Sequence, residues 1–534
     1  MENLEADVVI IGGGLGGTIA AWTLAERGYR VLMTEETDWI GGQLTSQAVP
    51  PDEHPWIEEF GSTRSYRAFR HAVRNHYRDS NLILPEVAQH EKYVTQFNPG
   101  SGWVSRLCHE PRLAHEILLR MLAPHLKSGR LHIMVETIPV EADCEKDEVE
   151  HVVVRHLPSG CLTRLRGSFF VDATELGDLL PLAGIEHVVG AESAADTKEP
   201  HALPEANSRD IQSFTIVMAL TMDEQHPDKG EMIPKPEMYD WWKKFRYPDS
   251  PYPLLNWWDI KPGTKAEYRK FVLLSDNWKD YPLWTYRRII NRKQFKPEVY
   301  PHDISLINWP QNDYSLKSLI ESDYNERQRI IEEARQLSLS LLYWLQTEAP
   351  RHDSGFGYPN LSLRGDVLGT KDGLAKAPYI RESRRIRALY TITEGDVNKE
   401  IRQQQGLGIR RYEDSVGVGR YFLDLHMTTE TRRTAYIPAL PYEIPLSALL
   451  PIRVRNVLPA CKNIGTTQIT NGCYRLHPTE WNIGEAVGHL LAYALQHELT
   501  PHDIRFQREH LHAYQAELDA AGVERSWPFD GKEL

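Results

Sequence analysis

The clearest chemistry in the chain lies at Gly12, Gly14 and Gly17, which fall at GxGxxG spacing directly after the apolar run Val8-Val9-Ile10-Ile11. Glycines so spaced bind rather than react. Gly12 allows a tight turn, Gly14 lets backbone approach a pyrophosphate, and Gly17 lets a helix pack on a strand. A helix beginning around Leu15 and Gly16 aims free N–H groups and the positive end of its dipole at the phosphates. Glu35 closes a second apolar run (31–34) about 20 residues on, where it can accept hydrogen bonds from ribose hydroxyls, with Glu36 beside it. Strand, glycines, helix and acid together predict a dinucleotide-binding βαβ unit. Which dinucleotide, and what chemistry, they leave open.

Two further clusters carry reactive groups. In Leu107-Cys108-His109-Glu110-Pro111-Arg112, either His109 or Cys108 tethers a cofactor covalently, or Glu110 caps a helix that starts at Pro111. In 378–387, a strand would put Arg381, Ser383 and Arg385 on one face, opposite Glu382 and Arg384. That face suits bidentate binding of a carboxylate or phosphate, or else an Arg–Glu lattice that supports the fold.

The elements that must position these groups follow from periodicity. Helices are expected over 16–27, over 64–78 with Tyr66, Phe69, Val73 and Tyr77 on one face, and over 112–126. Strands are expected over 131–135 and 149–155, linked by an acidic turn, and over 167–172. From about 190 to 440 the texture changes to Trp, Tyr and Pro, with one strong helix at 324–347. Such aromatic density either fills a core or supplies platforms for sugars and planar rings. Parallel-sheet character returns at 454–459, followed by a helix at 480–496 and a last surface helix at 503–520.

Composition bounds the function. With 534 residues the chain is long for one core. A net charge of −13 argues against nucleic acid and anionic membranes as partners. No apolar stretch reaches the roughly 18–20 residues that span a bilayer. Residues 1–7 lack a basic signal region, so a cytoplasmic location is expected. The five cysteines, at 108, 144, 161, 461 and 473, form no CxxC, so neither a metal site nor a redox pair is expected. Gly417-Val418-Gly419-Arg420 lacks a third glycine, so no second nicotinamide-type domain is expected either.

Four separated segments resemble one family. They are 12–18 with Glu35, then Gly41-Gly42-Gln43-Leu44-Thr45, then Asp172-Ala173-Thr174-Glu175-Leu176-Gly177-Asp178, and finally 456–465 continuing through 474–488. In these the chain is similar to glutathione-reductase-type flavoproteins, and within them to the bacterial FAD-dependent oxidoreductase family with an interrupted FAD domain. The third segment departs from the pattern, with Glu175 where many relatives carry glycine.

The resemblance implies an α/β fold: a Rossmann-like FAD-binding domain from 1–190 and 441–500, an inserted α+β substrate domain at 191–440, and a helical tail at 501–534. It implies FAD held by Gly12, Gly14, Leu15, Gly16, Gly17, Glu35, Glu36, Gly42, Gln43, Leu44, Asp172, Ala173 and Thr174. Asn463, Glu480, Asn482 and Ile483 would meet the flavin end, where a helix starting near Thr479 and Glu480 points its dipole at the ring. His477, one turn before that helix, is the candidate base, with Tyr474, Arg475 and Arg381 orienting substrate and His109 in reserve. Segments 308–314 and 424–426 are candidates to line the substrate cavity. The expected reaction is hydride transfer to flavin by a dehydrogenase or oxidase acting on a small molecule, with dioxygen, a quinone or a redox protein as acceptor. The alternative is a monooxygenase reduced by NAD(P)H or a partner reductase. A halogenase is disfavoured because no Trp-x-Trp-x-Ile-Pro segment occurs.

Overall fold

The computed structural model describes residues 1–90, 96–264 and 266–534. The first apolar run forms β1 (Val8–Ile11), which passes through the glycine turn into α1 (Leu15–Glu26). With β2 (Val31–Thr34), β3 (Leu131–Met134), β4 (Phe169–Asp172) and β5 (Val457–Pro459) it builds one parallel sheet, in the order β5-β4-β1-β2-β3. Both faces are covered, one by helices including α1 and the other by a second sheet whose Val152, Val154 and Leu165 pack on Val9, Ile11 and Phe170, which is why these strands read as continuous apolar runs rather than alternating ones. β5 pairs Val457 with Phe170 and Pro459 with Asp172, so the end of the chain completes the sheet begun at its start.

Helix α2 (His477–His497) follows and is buried from His477 to Ala494. It lies so close to α1 that side chains are excluded at the contact. A Cβ on Gly484 would sit 2.2 Å from the Gly16 carbonyl oxygen, and one on Gly488 would sit 2.6 Å from Thr23 Cβ. This packing brings the N-termini of both helices to one place beside the sheet's carboxyl edge, where ligands of open α/β sheets bind.

A second sheet joins Glu2–Glu5, Leu162–Arg166, Glu148–His156 and Thr137–Glu145. The acidic turn expected between 135 and 149 is instead mostly strand. Its polar residues face solvent, and register shifts at Pro139/Glu141 and Asp143/Cys144 break the alternation that would have revealed it. The middle of the chain forms an antiparallel sheet of Arg288–Ile290, Asp303–Ile307, Met218–Met222 and Leu361–Leu363. The helix at Tyr324–Thr347 packs against it with the bounds the sequence indicates. Trp242, Trp284 and Trp309 fill that core together with Leu337, Leu341 and Leu345.

The final segment is two helices, Pro501–Phe506 and Arg508–Ala521, rather than one. It is integral to the core: Tyr514 donates to the Ala486 carbonyl at 2.8 Å, and Trp527 Nε1 to that of Tyr442 at 3.0 Å. Among the described residues no helix is long and apolar enough to cross a membrane.

Replacing Gly484 with Ala forces the α1–α2 contact apart, and overpacking of this kind costs about 1–3 kcal/mol. Thermal unfolding should show a lowered midpoint for Gly484→Ala. Gly395→Ala, where a new Cβ meets only Thr393 Oγ1 at 3.8 Å, should leave it unchanged. Equal midpoints would contradict the close contact.

Candidate functional site

The glycine turn makes the first half of the site. Gly12 has φ +99°, and a Cβ there would lie 2.4 Å from the Ala173 carbonyl oxygen, so only glycine lets β1 and β4 end side by side. Thr34 Oγ1 accepts the Gly12 N–H at 3.1 Å. Glu35 Oε2 accepts the Gly13 N–H at 3.1 Å, while its Oε1 takes the N–H and hydroxyl of Thr37. Burial pushes the Glu35 carboxyl up to about 8, and it also raises Glu36. Both acids line a pocket of about 70 Å³, together with Gly12, Gly14, Gly42 and Thr174. Asp172 anchors the opposite wall, its Oδ1 held by Thr174 Oγ1 at 2.7 Å and its carboxyl raised by burial to about 7.

A buried ionic cluster makes the second half. Glu480, in the first turn of α2, accepts the Gly16 N–H at 3.3 Å and the Gln43 amide at 2.5 Å. Lys462 Nζ stands 2.5 Å from Glu175 and 3.3 Å from Glu480. Burial disfavours this ammonium, yet Cys461, Glu175 and Glu480 around it hold its pKa well above that of an ordinary lysine. One cation faces two carboxylates; burial and Glu175 therefore push Glu480 up against the pull of Lys462.

Glu175 is the departure noted in the sequence. Its Oε1 has no partner among the described residues and lies 2.9 Å and 2.7 Å from the Cβ positions that Gly14 and Gly42 lack. A carboxylate oxygen thus sits over the N-terminus of α1, where a helix favours an anion. A phosphate oxygen suits the same place. The glycine cradle, the unpartnered oxygen before a helix N-terminus and the acid at the end of β2 together fit the pyrophosphate and ribose of a flavin dinucleotide.

The other residues singled out in the sequence divide into two groups. Leu15, Gly17, Leu44 and Ile483 are buried around the cradle. Asn463 bridges the Asp172 carbonyl and the Cys461 N–H, and Asn482 bridges the Val416 carbonyl and the Val418 N–H. His477 is the first residue of α2 rather than one turn before it; the start at Pro478 brings the helix forward. Its Nδ1 accepts the Asp52 N–H at 3.1 Å, its Nε2 has no hydrogen-bond partner among the described residues, and burial holds the imidazole well below its ordinary pKa. Tyr474 donates to the Glu443 carbonyl and stacks on Tyr442. His109 is buried edge-on to Phe69, and burial pushes the Cys108 thiol up to about 12. Glu110 makes no side-chain cap and instead accepts from Tyr77 and Tyr300.

The expected strand at 381–385 is absent: only Arg385–Ile386 pairs, with His187–Val188. Segment 381–384 has no strand partner, so its side chains do not alternate. Arg385 binds Glu382 and Glu192, an ion-pair lattice. Arg381 turns the other way, to Asp313 at 3.0 Å and Asn308 at 3.0 Å.

Arg381 thereby buttresses a cavity of about 960 Å³ that sequence spacing had only hinted at. The cavity wall joins Asp313, Asp424 and His426. His426 Nδ1 is 2.6 Å from Asp313, and its Nε2 is 3.4 Å from Asp424. Burial opposes ionisation of Asp313, yet Arg381 and His426 hold it far below the usual carboxylate range. Asp424 is likewise lowered against burial, by His426 and then Arg475. Arg475 links the two halves of the site. Its guanidinium meets Asp424 at 3.2 Å and the Tyr379 hydroxyl at 2.7 Å, while its carbonyl accepts the Gln43 amide at 3.0 Å.

Comparison with known proteins agrees with this geometry. Residues 7–518 match the family described as FAD dependent oxidoreductase. Shorter stretches resemble L-amino acid oxidase from Cerastes cerastes, 31% identical over 90 residues and 17% of each chain. Others resemble N,N-dimethylglycine/sarcosine dehydrogenase from Chromohalobacter salexigens, 45% identical over 66 residues, 12% of this chain and 9% of the relative. Such matches span less than a fifth of the relatives' own lengths. Among solved structures, a geranylgeranyl bacteriochlorophyll reductase-like protein from Thermoplasma acidophilum aligns over 98% of this chain and 85% of its own, at 9% identity and a TM-score of 0.34. The family match runs through the cradle, the cavity and the closing helix: the chain belongs to the FAD-dependent oxidoreductase family, and FAD is its cofactor.

Proposed function

We propose that the protein is a dehydrogenase or oxidase that takes two electrons from a small organic substrate held in the aromatic cavity. Dioxygen, a quinone or a redox protein then accepts them. Arg475 carries this reading, because one residue contacts the cradle through its carbonyl and the cavity wall through its guanidinium. Substrate and cofactor thus share a partition. The wider organisation would be of glutathione-reductase type, with 1–190 and 441–500 forming the cofactor unit, 191–440 the substrate unit and 501–534 a tail, in a cytoplasmic enzyme.

Bound FAD supplies a two-electron acceptor. The chain's own groups bind and orient. Glu35 would take the ribose hydroxyls, the N-terminus of α1 with Gly14 and Gly42 would take the pyrophosphate, and Gln43, Lys462 and Glu480 would stand at the flavin end. His426 is the proposed proton acceptor: Asp313 holds its Nδ1 at 2.6 Å, and its Nε2, 3.4 Å from Asp424, would exchange that contact for a substrate O–H or N–H. Arg381 and Arg475 hold the two carboxylates in place.

Anaerobic titration of the FAD-loaded protein tests the reading. Bleaching of the flavin by alcohols, amines or sugars supports it; bleaching by NAD(P)H alone supports the monooxygenase instead. His426→Gln should slow substrate-driven bleaching about 10²–10⁴-fold, the usual contribution of a general base, with FAD content unchanged. An unchanged rate would remove His426 from that role. FAD binding should also depend on pH. Burial keeps the unliganded Glu35 carboxyl protonated up to about 8, whereas ribose donors favour the carboxylate, so binding releases a proton. Affinity of the apoprotein for FAD should therefore rise as pH approaches about 8 and level off above it. A flat profile would contradict the ribose role of Glu35.

A further inference from the structure

We propose that the cavity takes a neutral carbohydrate longer than one sugar ring and that a ring carbinol is the group oxidised. The inference rests on the reading of this cavity as the substrate site. Three observations carry it. First, the walls offer flat aromatic faces, the form that stacks on the C–H face of a sugar ring. Tyr252 and Trp258 lie parallel, with centroids 5.2 Å apart and planes at 3°, and Trp278 at the mouth is 62% exposed. These are distinct from the core tryptophans Trp242 and Trp284.

Second, three carboxylates of the wall have guanidinium partners beside or behind them, whereas the wall's Arg287 donates to the Asn308 carbonyl and meets no carboxylate within ion-pair distance among the described residues. Arg381 faces Asp313, Arg475 faces Asp424, and Arg269 lies 3.6 Å from Asp259. A charged group beside these pairs would have to compete for partners that already satisfy one another, and an anionic sugar stands among the comparators below because of Arg287. A hydroxyl both donates and accepts, so it can join such a pair without separating it.

Third, the wall holds buried polar atoms with no partner among the described residues: Asn308 Nδ2, Trp309 Nε1 and both amide atoms of Gln311. Asn308 is 4% exposed and Gln311 2% exposed. Buried polar atoms left without hydrogen bonds are costly, and a set containing donors and an acceptor calls for a ligand that offers both. A purely aromatic ligand would leave them orphaned. At about 960 Å³, the cavity stands near the top of the range of about 300–1,000 Å³ usual for ligand sites, which is why more than one ring is inferred.

The step balances. The carbinol C–H bond breaks with its electron pair passing to the flavin as hydride, the O–H bond breaks with its proton passing to His426 Nε2, and a C=O bond forms.

The test uses the FAD-loaded protein under anaerobic conditions and a panel of neutral trisaccharides of glucose, mannose, galactose and xylose. Sarcosine, veratryl alcohol and trigalacturonate serve as comparators, and tryptophan fluorescence and flavin absorbance are followed together. Expected is saturable fluorescence change and bleaching with at least one neutral trisaccharide, and neither with the comparators. Trp258→Ala, at unchanged FAD content, should weaken that sugar's binding about two- to tenfold, the worth of one aromatic stack. Tyr252→Ala, which alters the other ring of the pair, should do the same. Bleaching by a comparator with no response to any neutral sugar would overturn the carbohydrate assignment and leave the oxidase reading standing. Sugar binding without bleaching would uphold the binding class and overturn the oxidation. Bleaching by NAD(P)H alone, with no sugar response, would overturn both.

Discussion

The site depends on one constraint: a carboxylate, that of Glu480, is buried where two helix N-termini converge. It accepts an N–H from the first turn of α1 while standing in the first turn of α2. Two positive dipole ends favour a negative charge there, and Lys462 supplies the countercharge that burial demands. The helices approach so closely because Gly484 and Gly488 carry no Cβ, while the bare Gly16 lets the start of α1 meet the Ala460 carbonyl. Glu175 belongs to the same arrangement. It adds a second carboxylate at the helix N-terminus proposed to hold the pyrophosphate, where cofactor and side chain would compete for one electrostatic position.

The cavity inherits its placement from this junction. Gln43 binds Glu480 on one side and the Arg475 carbonyl on the other, and the Arg475 guanidinium then positions Asp424. From there His426 and Asp313 follow, backed by Arg381. A chain of buried charged and amide groups thus runs from the cradle to the candidate base. Each member has at least one partner, as a low-dielectric interior requires.

Legibility in the sequence followed locality. The β1–glycine–α1–β2 unit could be read because its four signals lie within one short stretch, and the helix at Tyr324–Thr347 because its period is long and clean. The strand at Thr137–Glu145 escaped because bulges disrupt its alternation. A strand would give the arginine run two faces, but 381–384 has no strand partner. His426 and Asp313 appeared only as neighbourhood hints. They are far apart in sequence, and no spacing rule links them; their meeting depends on Arg381, whose direction required the fold. The position of Glu175 was marked by its departure from a family pattern, but its lodging between Gly14 and Gly42 was visible only in three dimensions.

The most direct measurement of the central claim is a crystal structure of the FAD-bound protein. The account predicts the adenosine ribose on Glu35, the pyrophosphate between Gly14 and Gly42 with Glu175 displaced, and the flavin ring against the Gln43–Arg475 partition, open to the cavity that holds His426. A flavin ring sealed from that cavity, or facing a different one, would contradict it.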